Sequence, residues 1–122
     1  MKIPFFFRKA LSKRGEGKKG EERAKKFLED RGYKILFQNY RTRCGEIDLI
    51  CEEGETLVFV EVRQKRGGKF GTPIESIDQR KIEKIKKTAE IFLSEKGIFN
   101  REIRFDFLAI SGKKIELITD AF

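Results

Sequence analysis

The sequence contains no histidine, and it has only two cysteines and one methionine among 122 residues. The absence of histidine excludes histidine-dependent catalytic triads and histidine-ligated zinc or haem sites. Any acid–base or metal chemistry must therefore come from carboxylates, lysine, tyrosine or cysteine.

The two cysteines, Cys44 and Cys51, lie seven positions apart. This is neither a zinc-binding spacing nor a disulfide framework, so it predicts a reducing, cytoplasmic location. The sequence also lacks an apolar run of about 18 residues, so we expect no membrane span and no membrane partner. The apolar segment at residues 3–7 is too short for the core of a signal peptide.

Charged residues are abundant and unevenly distributed. The chain has 28 Lys and Arg against 20 Asp and Glu, a net charge of +8. Residues 1–26 carry +7 and residues 63–87 carry +6, whereas residues 27–62 carry −4. Two basic blocks around an acidic one favour a polyanionic partner, most often nucleic acid. A highly charged, solvated surface of the thermophile type explains the same composition, and charge alone does not separate the two.

Apolar periodicity and turn residues predict the order α-β-β-β-α-β-β, with residues 1–16 as a basic N-terminal arm and residues 17–122 as a single domain. The third strand is apolar on both faces, which is typical of a central strand covered on both sides. The second helix is predicted to open with a capping box formed by Ser76 and Gln79. The helices are predicted at 17–31 and from Ser76 to Lys96, and the strands at 34–39, 46–51, 56–63, 103–110 and 115–118.

The second predicted strand carries two carboxylates. Glu46 and Asp48 are two positions apart, so alternation places them on one face and Ile47 and Leu49 on the other. Pairing of this strand with the third as a hairpin places Asp48 opposite residues 60–61, beside Glu61. The hairpin therefore brings carboxylates from two strands together.

Neighbouring carboxylates repel each other unless a cation or a proton lies between them. Magnesium is held by one or two carboxylates, with waters and phosphate completing its shell. The pattern therefore predicts a Mg²⁺ or Mn²⁺ site formed by Asp48, Glu61 and Glu46, with Arg63 on the face of Glu61 to hold phosphate. The alternative is that Glu61 and Arg63 merely close the strand as a solvated, salt-bridged end.

Glu21 lies beside the apolar face of the first helix, close to Ala24 and Leu28. A carboxylate next to the core is unfavourable unless it has a partner, so Glu21 is a candidate to reach a metal or a bound water at the sheet. The alternative is a first-turn glutamate that is stabilised by the helix dipole.

These residues also carry a resemblance to a known family. The blocks are Gly20-Glu21-x-x-Ala24-x-x-Phe27-Leu28, Gly32-Tyr33-x-Ile35-Leu36-x-x-Asn39-x-Arg41, Gly45-Glu46-Ile47-Asp48-Leu49-Ile50 and Val58-Phe59-Val60-Glu61-Val62-Arg63. With Arg104-Phe105-Asp106 and Asp120-Ala121-Phe122, they resemble the YraN-like family, which is widespread in bacteria. The resemblance covers residues 15–122.

The YraN-like family in turn resembles archaeal Holliday-junction resolvases and restriction-type nucleases with the PD-(D/E)xK motif. This resemblance implies an α/β, restriction-endonuclease-like fold with an αβββαβ core and a mixed central sheet flanked by helices. It also implies that residues 17–122 are a nuclease-like domain that uses Mg²⁺ or Mn²⁺ and no small-molecule cofactor. The implied catalytic residues are Glu21, Asp48, Glu61 and Arg63.

The sequence departs from the nuclease motif at Arg63, where such nucleases usually have lysine. Arginine stays protonated and cannot act as a base, but it can bind phosphate through two hydrogen bonds. Lys65, on the same strand face, is a candidate to take the place of the lysine.

Basic residues around this strand end are predicted to bind the phosphate backbone of a nucleic acid. A mobile, solvated loop is the alternative for those that follow the third strand. The predicted set is Arg43, Lys65, Arg66, Lys69 and Lys81.

The sequence therefore predicts a metal-dependent DNA endonuclease. Analogy with resolvases adds branched DNA as a candidate substrate and a homodimer as a candidate assembly. One alternative is a non-catalytic nucleic-acid-binding protein that retains the fold, which Arg63 favours. Another is an adaptor whose basic arm recruits an acidic protein partner.

Overall fold

The computed structural model describes residues 15–65 and 77–122, and it describes residues 15–19 and Lys65 by their backbone only. The order of its elements is the order predicted from the sequence. The elements are α1 (Gly15–Asp30), β1 (Lys34–Thr42), β2 (Gly45–Glu53), β3 (Thr56–Lys65), α2 (Gln79–Lys96), β4 (Ile103–Ser111) and β5 (Lys114–Ile118). The loop residues Arg66 and Lys69, and the predicted arm up to residue 14, lie outside the described residues.

The five strands form one mixed sheet in the order β1-β2-β3-β4-β5. The β3–β4 pair is parallel, and the other three neighbouring pairs are antiparallel. Parallel neighbours need a crossover connection, and α2 lies within the one between β3 and β4. The predicted αβββαβ core with a mixed sheet is therefore confirmed.

Each helix covers one face of the sheet, because each has an apolar stripe at helical spacing. On one side, Ala24 and Leu28 of α1 pack with Leu49, Val58 and Val60 of the sheet. On the other side, Ile85, Ala89 and Phe92 of α2 pack with Ile50, Leu57 and Phe59. Residues 57–60 of β3 alternate between the two faces and are all 0% exposed, so β3 is the central strand that its sequence predicted.

The ends of the helices differ slightly from the prediction. α1 begins at Gly15, so it includes two residues assigned to the arm. α2 begins at Gln79 with Asp78 as its N-cap, and the Asp78 carboxylate accepts a hydrogen bond from the Lys81 backbone N–H at 2.8 Å. Ser76 lies outside the described residues, and the predicted helix start there is wrong, because Asp78 is the N-cap and its carboxylate satisfies one of the free backbone donors of the first turn. Neither helix of the described residues is long and apolar enough to span a membrane.

A local twist interrupts the regular alternation of β2. Ile47 packs in the core under α2, whereas Leu49 packs in the core under α1. The prediction that these two side chains share a face is therefore wrong. In the neighbouring strand β1, Asn39 adopts a left-handed backbone conformation (φ 51°) between the Gln38–Leu49 and Tyr40–Ile47 pairs. Asparagine tolerates this conformation better than most residues.

A buried polar network lies under α1, toward the β2–β3 turn. Asp106 is 0% exposed and accepts hydrogen bonds from the Tyr33 hydroxyl (2.7 Å) and the Arg104 Nε (2.9 Å). Arg104 Nη2 also donates to Glu53 Oε1 at 2.7 Å. Burial raises the pKa of Tyr33, and its hydrogen bond to Asp106 raises it further. The network therefore satisfies the buried Asp106 carboxyl group by surrounding it with hydrogen-bond donors.

The same network holds the segment after β5. The backbone N–H of Asp120 donates to Asp106 Oδ1 (2.9 Å), and that of Ala121 donates to the Phe105 carbonyl (2.7 Å). Phe122 stacks on Phe105 with ring centroids 5.6 Å apart. The two sequence blocks at residues 104–106 and 120–122 thus contact each other directly.

Both cysteines are free thiols, as their spacing predicted. Cys51 is fully buried in the core under α1, and burial raises its pKa to about 12. A buried thiol of this kind is a poor nucleophile, so Cys51 has a packing role.

We expect replacement of Asp106 by alanine to lower the free energy of unfolding by about 3–5 kcal/mol, because it leaves buried donors and the Arg104 charge uncompensated. Urea unfolding followed by circular dichroism measures this change. The matched control is Asp30→Ala, which removes an exposed partner of Lys26 and should cost less than about 1 kcal/mol. Equal effects of the two substitutions would contradict a stabilising role for the network.

Candidate functional site

A cleft opens at the end of the sheet where β2 begins and β3 ends, and the first turns of α2 lie over it. Its volume is ≈ 460 Å³. Its lining combines carboxylates with basic side chains, and consists of Gly45, Glu46, Asp48, Glu61, Val62, Arg63, Lys81, Lys84 and Ile85. The cleft therefore contains three of the four predicted catalytic residues and all three predicted metal ligands.

The β2–β3 hairpin places the two central carboxylates of the cleft side by side. The pairing of β2 with β3 ends at Leu49 and Val60, and Asp48 and Glu61 are the next residues of the two strands. The Val62 backbone N–H donates to Asp48 Oδ2 at 2.8 Å. The register predicted from the sequence is confirmed, and Asp48 is tied directly to the backbone of β3.

Glu61 is the most deeply buried carboxylate of the cleft, at 5% exposure. The ammonium of Lys81 lies 3.2 Å from Glu61 Oε2, and the Lys81 side chain is 48% exposed. Because a buried carboxylate is costly without a compensating cation or donor, this contact gives Glu61 the partner that its burial requires. Lys81, predicted as a phosphate-binding residue, thus contacts a predicted metal ligand.

Glu46 and Arg63 complete the predicted residues of the cleft. Glu46 Oε1 lies 3.4 Å from Arg41 Nε, at the edge of the cleft. Arg63 is half-buried and follows Glu61 by two positions along β3. Arg63, Asp48 and Glu61 therefore line one cavity.

Glu21 lies on the sheet-facing side of α1 and is not among the described residues that line the cleft. Its side chain is 7% exposed, and Asn39 Nδ2 donates to Glu21 Oε1 at 3.2 Å. The preceding Gly20 lies against the Gln64 side chain, whose amide a Cβ at residue 20 would meet at 2.2 Å. Glu21 is thus held beside the end of β3 that carries the cleft, and its catalytic role stays a prediction.

The remaining predicted phosphate-binding residues are more scattered. Arg43 is exposed in the turn between β1 and β2 and is not among the cleft-lining residues that the structure describes. Lys65 is the last residue of β3, described by its backbone alone.

Four residues that line the cleft were not predicted for this role, namely Val62, Ile85, Lys84 and Gly45. Lys84 lies one turn after Lys81 on α2, and the sequence assigned it only to the charged surround of that helix. Gly45, which was predicted only as a turn residue, lies where β2 contacts α2. A Cβ there would lie 3.0 Å from Thr88 Oγ1 and 3.2 Å from Lys84 Cβ. Its helix partners could not be identified without the fold.

The carboxylates fit a divalent metal that takes few protein ligands. Among the described residues, no three or more His, Cys, Asp and Glu side chains are grouped to hold a metal ion. Glu46 therefore lines the cleft without completing a three-carboxylate set with Asp48 and Glu61. A pair of carboxylates is nevertheless what Mg²⁺ commonly uses, since it keeps several waters and takes further oxygens from phosphate.

The fold and the cleft together define a mixed α/β domain with an acidic and basic cavity at the end of its central strand. The chain belongs to the Uncharacterised protein family UPF0102, whose model matches residues 20–110. This result confirms the resemblance to the YraN-like family. The matched residues include the whole lining of the cleft.

Relatives from distant bacteria are similar over nearly their whole length. A UPF0102 protein of Persephonella marina is 45% identical over 107 residues, covering 88% of this chain and 92% of the relative. One from Syntrophus aciditrophicus is 46% identical over 110 residues, covering 87% of each. One from Vibrio campbellii is 43% identical over 115 residues, covering 91% and 94%.

We expect Gly45→Ala to lower the free energy of unfolding by about 1–3 kcal/mol, because the new methyl group overpacks the contact with Lys84 and Thr88. The shift also moves α2 away from β2 and so widens the cleft. Thermal and urea unfolding measure the loss of stability. Arg43→Ala, an exposed change in the adjacent turn, serves as the control and should fall within about 0.5 kcal/mol of the wild type. A Gly45→Ala protein as stable as this control would contradict the close approach.

Proposed function

We propose that the protein is a metal-dependent nuclease that hydrolyses phosphodiester bonds in DNA. The observation that carries this proposal is that Asp48 and Glu61, which directly follow the Leu49–Val60 pair on neighbouring strands, line one cleft with Arg63 and Lys81. Paired carboxylates and adjacent cations are the groups that a metal-assisted phosphodiester reaction needs. The resemblance to PD-(D/E)xK nucleases supports the same reaction class.

In this proposal Asp48 and Glu61 hold the divalent cation. The bound ion would act as a Lewis acid and generate a water nucleophile at neutral pH. The hydrogen bond from Val62 to Asp48 fixes one carboxylate to the backbone of β3. The other carboxylate is fixed because Glu61 is buried between neighbouring strands. Both ligands are therefore preorganised before substrate binds.

The basic side chains of the cleft have a different part in the reaction. The Arg63 guanidinium remains charged at all relevant pH values, so it is suited to hold the phosphate and to stabilise developing negative charge. It cannot remove a proton from water. Lys84 adds a second positive charge to the cleft wall. In the proposed mechanism, Glu21 or Glu46 orients the attacking water.

The charge of the chain supports nucleic acid as the substrate. The net charge is +8, and the basic block at residues 63–87 contains both cleft lysines of α2. We propose DNA as the polymer, with branched DNA and a homodimer drawn from the resolvase analogy alone. A DNA substrate and free thiols fit a cytoplasmic location.

A second candidate function is nucleic-acid binding without cleavage. Two observations favour it, namely the arginine at position 63 and the contact of Lys81 with Glu61. It predicts that DNA affinity falls steeply with salt concentration, since bound counterions are released, and that no divalent metal supports cleavage.

The decisive experiment compares wild type with Asp48→Asn on linear, flapped and four-way DNA in Mg²⁺ and Mn²⁺. Asparagine keeps an oxygen that can accept from the Val62 N–H, so the fold should persist while the charge is lost. We expect cleavage to fall at least about a hundredfold, because several kcal/mol of transition-state stabilisation disappear. The measurement is the initial rate of strand cleavage on gels.

The matched control is Asp30→Asn, which removes a carboxylate on the exposed face of α1 and should retain wild-type activity. Equal cleavage by the Asp48→Asn and Asp30→Asn proteins would contradict the nuclease assignment. Salt-sensitive DNA binding with no cleavage by wild type would instead favour the binding function.

A further inference from the structure

The contact between Lys81 and Glu61 places a positive charge on a carboxylate that is also a candidate metal ligand. Lys81 Nζ lies 3.2 Å from Glu61 Oε2, and Glu61 is 5% exposed. Because Glu61 is buried, little of its carboxylate is left open for a second cation to approach. The ammonium and a divalent ion therefore compete for one carboxylate, since two cations at this distance repel each other strongly.

We propose that Lys81 holds the place of the divalent cation on Glu61, leaves when the metal binds, and then contacts the phosphate of the substrate. The proposal rests on the nuclease function proposed above and adds a positioning residue to its site. It assigns two successive partners to one lysine, the Glu61 carboxylate before metal binding and the substrate phosphate after it.

The two partners differ in their freedom to move. Glu61 belongs to the central strand, where the backbone of β3 pairs with Phe107 of β4, so it stays in place. The Lys81 backbone is fixed by its hydrogen bond to the Asp78 cap. Its side chain, however, is half exposed and has four flexible methylene groups. Lys81 is thus the member of the pair that can leave without disturbing the fold.

In this proposal, the positive charge of Lys81 has an anionic partner both before and after the metal binds. Before metal binding, Lys81 compensates the buried Glu61 carboxylate. After metal binding, its ammonium remains in the cleft near Arg63 and Lys84, where a phosphate oxygen is its natural partner.

This role predicts effects of opposite sign when Lys81 is replaced by methionine. Metal affinity should rise about tenfold, because an opposing positive charge within a few Å is removed. DNA affinity in the presence of metal should fall, because one phosphate contact is lost. A purely structural Lys81 would instead lower both affinities, and a pure phosphate ligand would leave metal affinity unchanged.

The test measures Mn²⁺ binding to the protein without DNA by electron paramagnetic resonance. It compares wild type with Lys81→Met, Lys81→Arg, Lys84→Met and Asp48→Asn. Lys84 lines the same cleft, so Lys84→Met separates a general charge effect from the contact with Glu61. Lys81→Arg keeps the charge and should keep wild-type affinity, and Asp48→Asn should weaken binding and so locate the ion. DNA binding is then measured with each protein at fixed Mn²⁺.

Tighter Mn²⁺ binding by Lys81→Met than by Lys84→Met, with weaker DNA binding, would support the proposal. Unchanged or weaker Mn²⁺ binding by Lys81→Met would overturn it, as would the lack of binding in both wild type and Lys81→Met. Cleavage that depends on Asp48 together with an unchanged metal affinity of Lys81→Met would retain the nuclease function and reject only the displacement. Tighter metal binding by Lys81→Met, with no cleavage by any of the proteins, would retain the displacement of Lys81 and reject the nuclease function.

Discussion

Strand β3 pairs along one edge with β2 and along the other with β4, and its residues 57–60 are buried on both faces. The strand then continues beyond the apolar core and becomes charged at Glu61. A carboxylate at this boundary is held by the sheet and shielded from water, yet it still borders a cleft. The position of the site therefore follows from the length of the apolar part of one strand, and β2, α2 and α1 are placed around it.

The features that follow from local pattern were predictable from the sequence. Alternation and turn residues identified the strands, and the doubly apolar β3 identified the centre of the sheet. Antiparallel pairing through a short turn then fixed the register, so the approach of Asp48 to Glu61 could be counted before the structure was known. Two helices with clear apolar stripes completed the order of elements.

The features that depend on packing between elements were not predictable. Strict alternation fails at Ile47 of β2, which packs on the side of α2, and the adjacent β1 has a left-handed residue at Asn39. Gly45 lies against α2 because the crossover brings that helix over β2, which no local pattern indicates. Because Lys81 lies beside the apolar stripe of α2, the sequence indicated that it could approach the end of β3. Its contact with Glu61 required the helix position.

The two polar networks of the domain also differ in the length of chain that they close. The hydrogen bond from Val62 to Asp48 joins residues 14 apart, whereas that from Tyr33 to Asp106 joins residues 73 apart. Closing a longer loop requires more chain entropy to be lost first, and distant contacts slow folding. We therefore expect the hairpin of the cleft to form early and the Asp106 network to close late. The two carboxylate-bearing strands of the cleft would then pair before Asp106 joins the N-terminal and C-terminal parts of the chain.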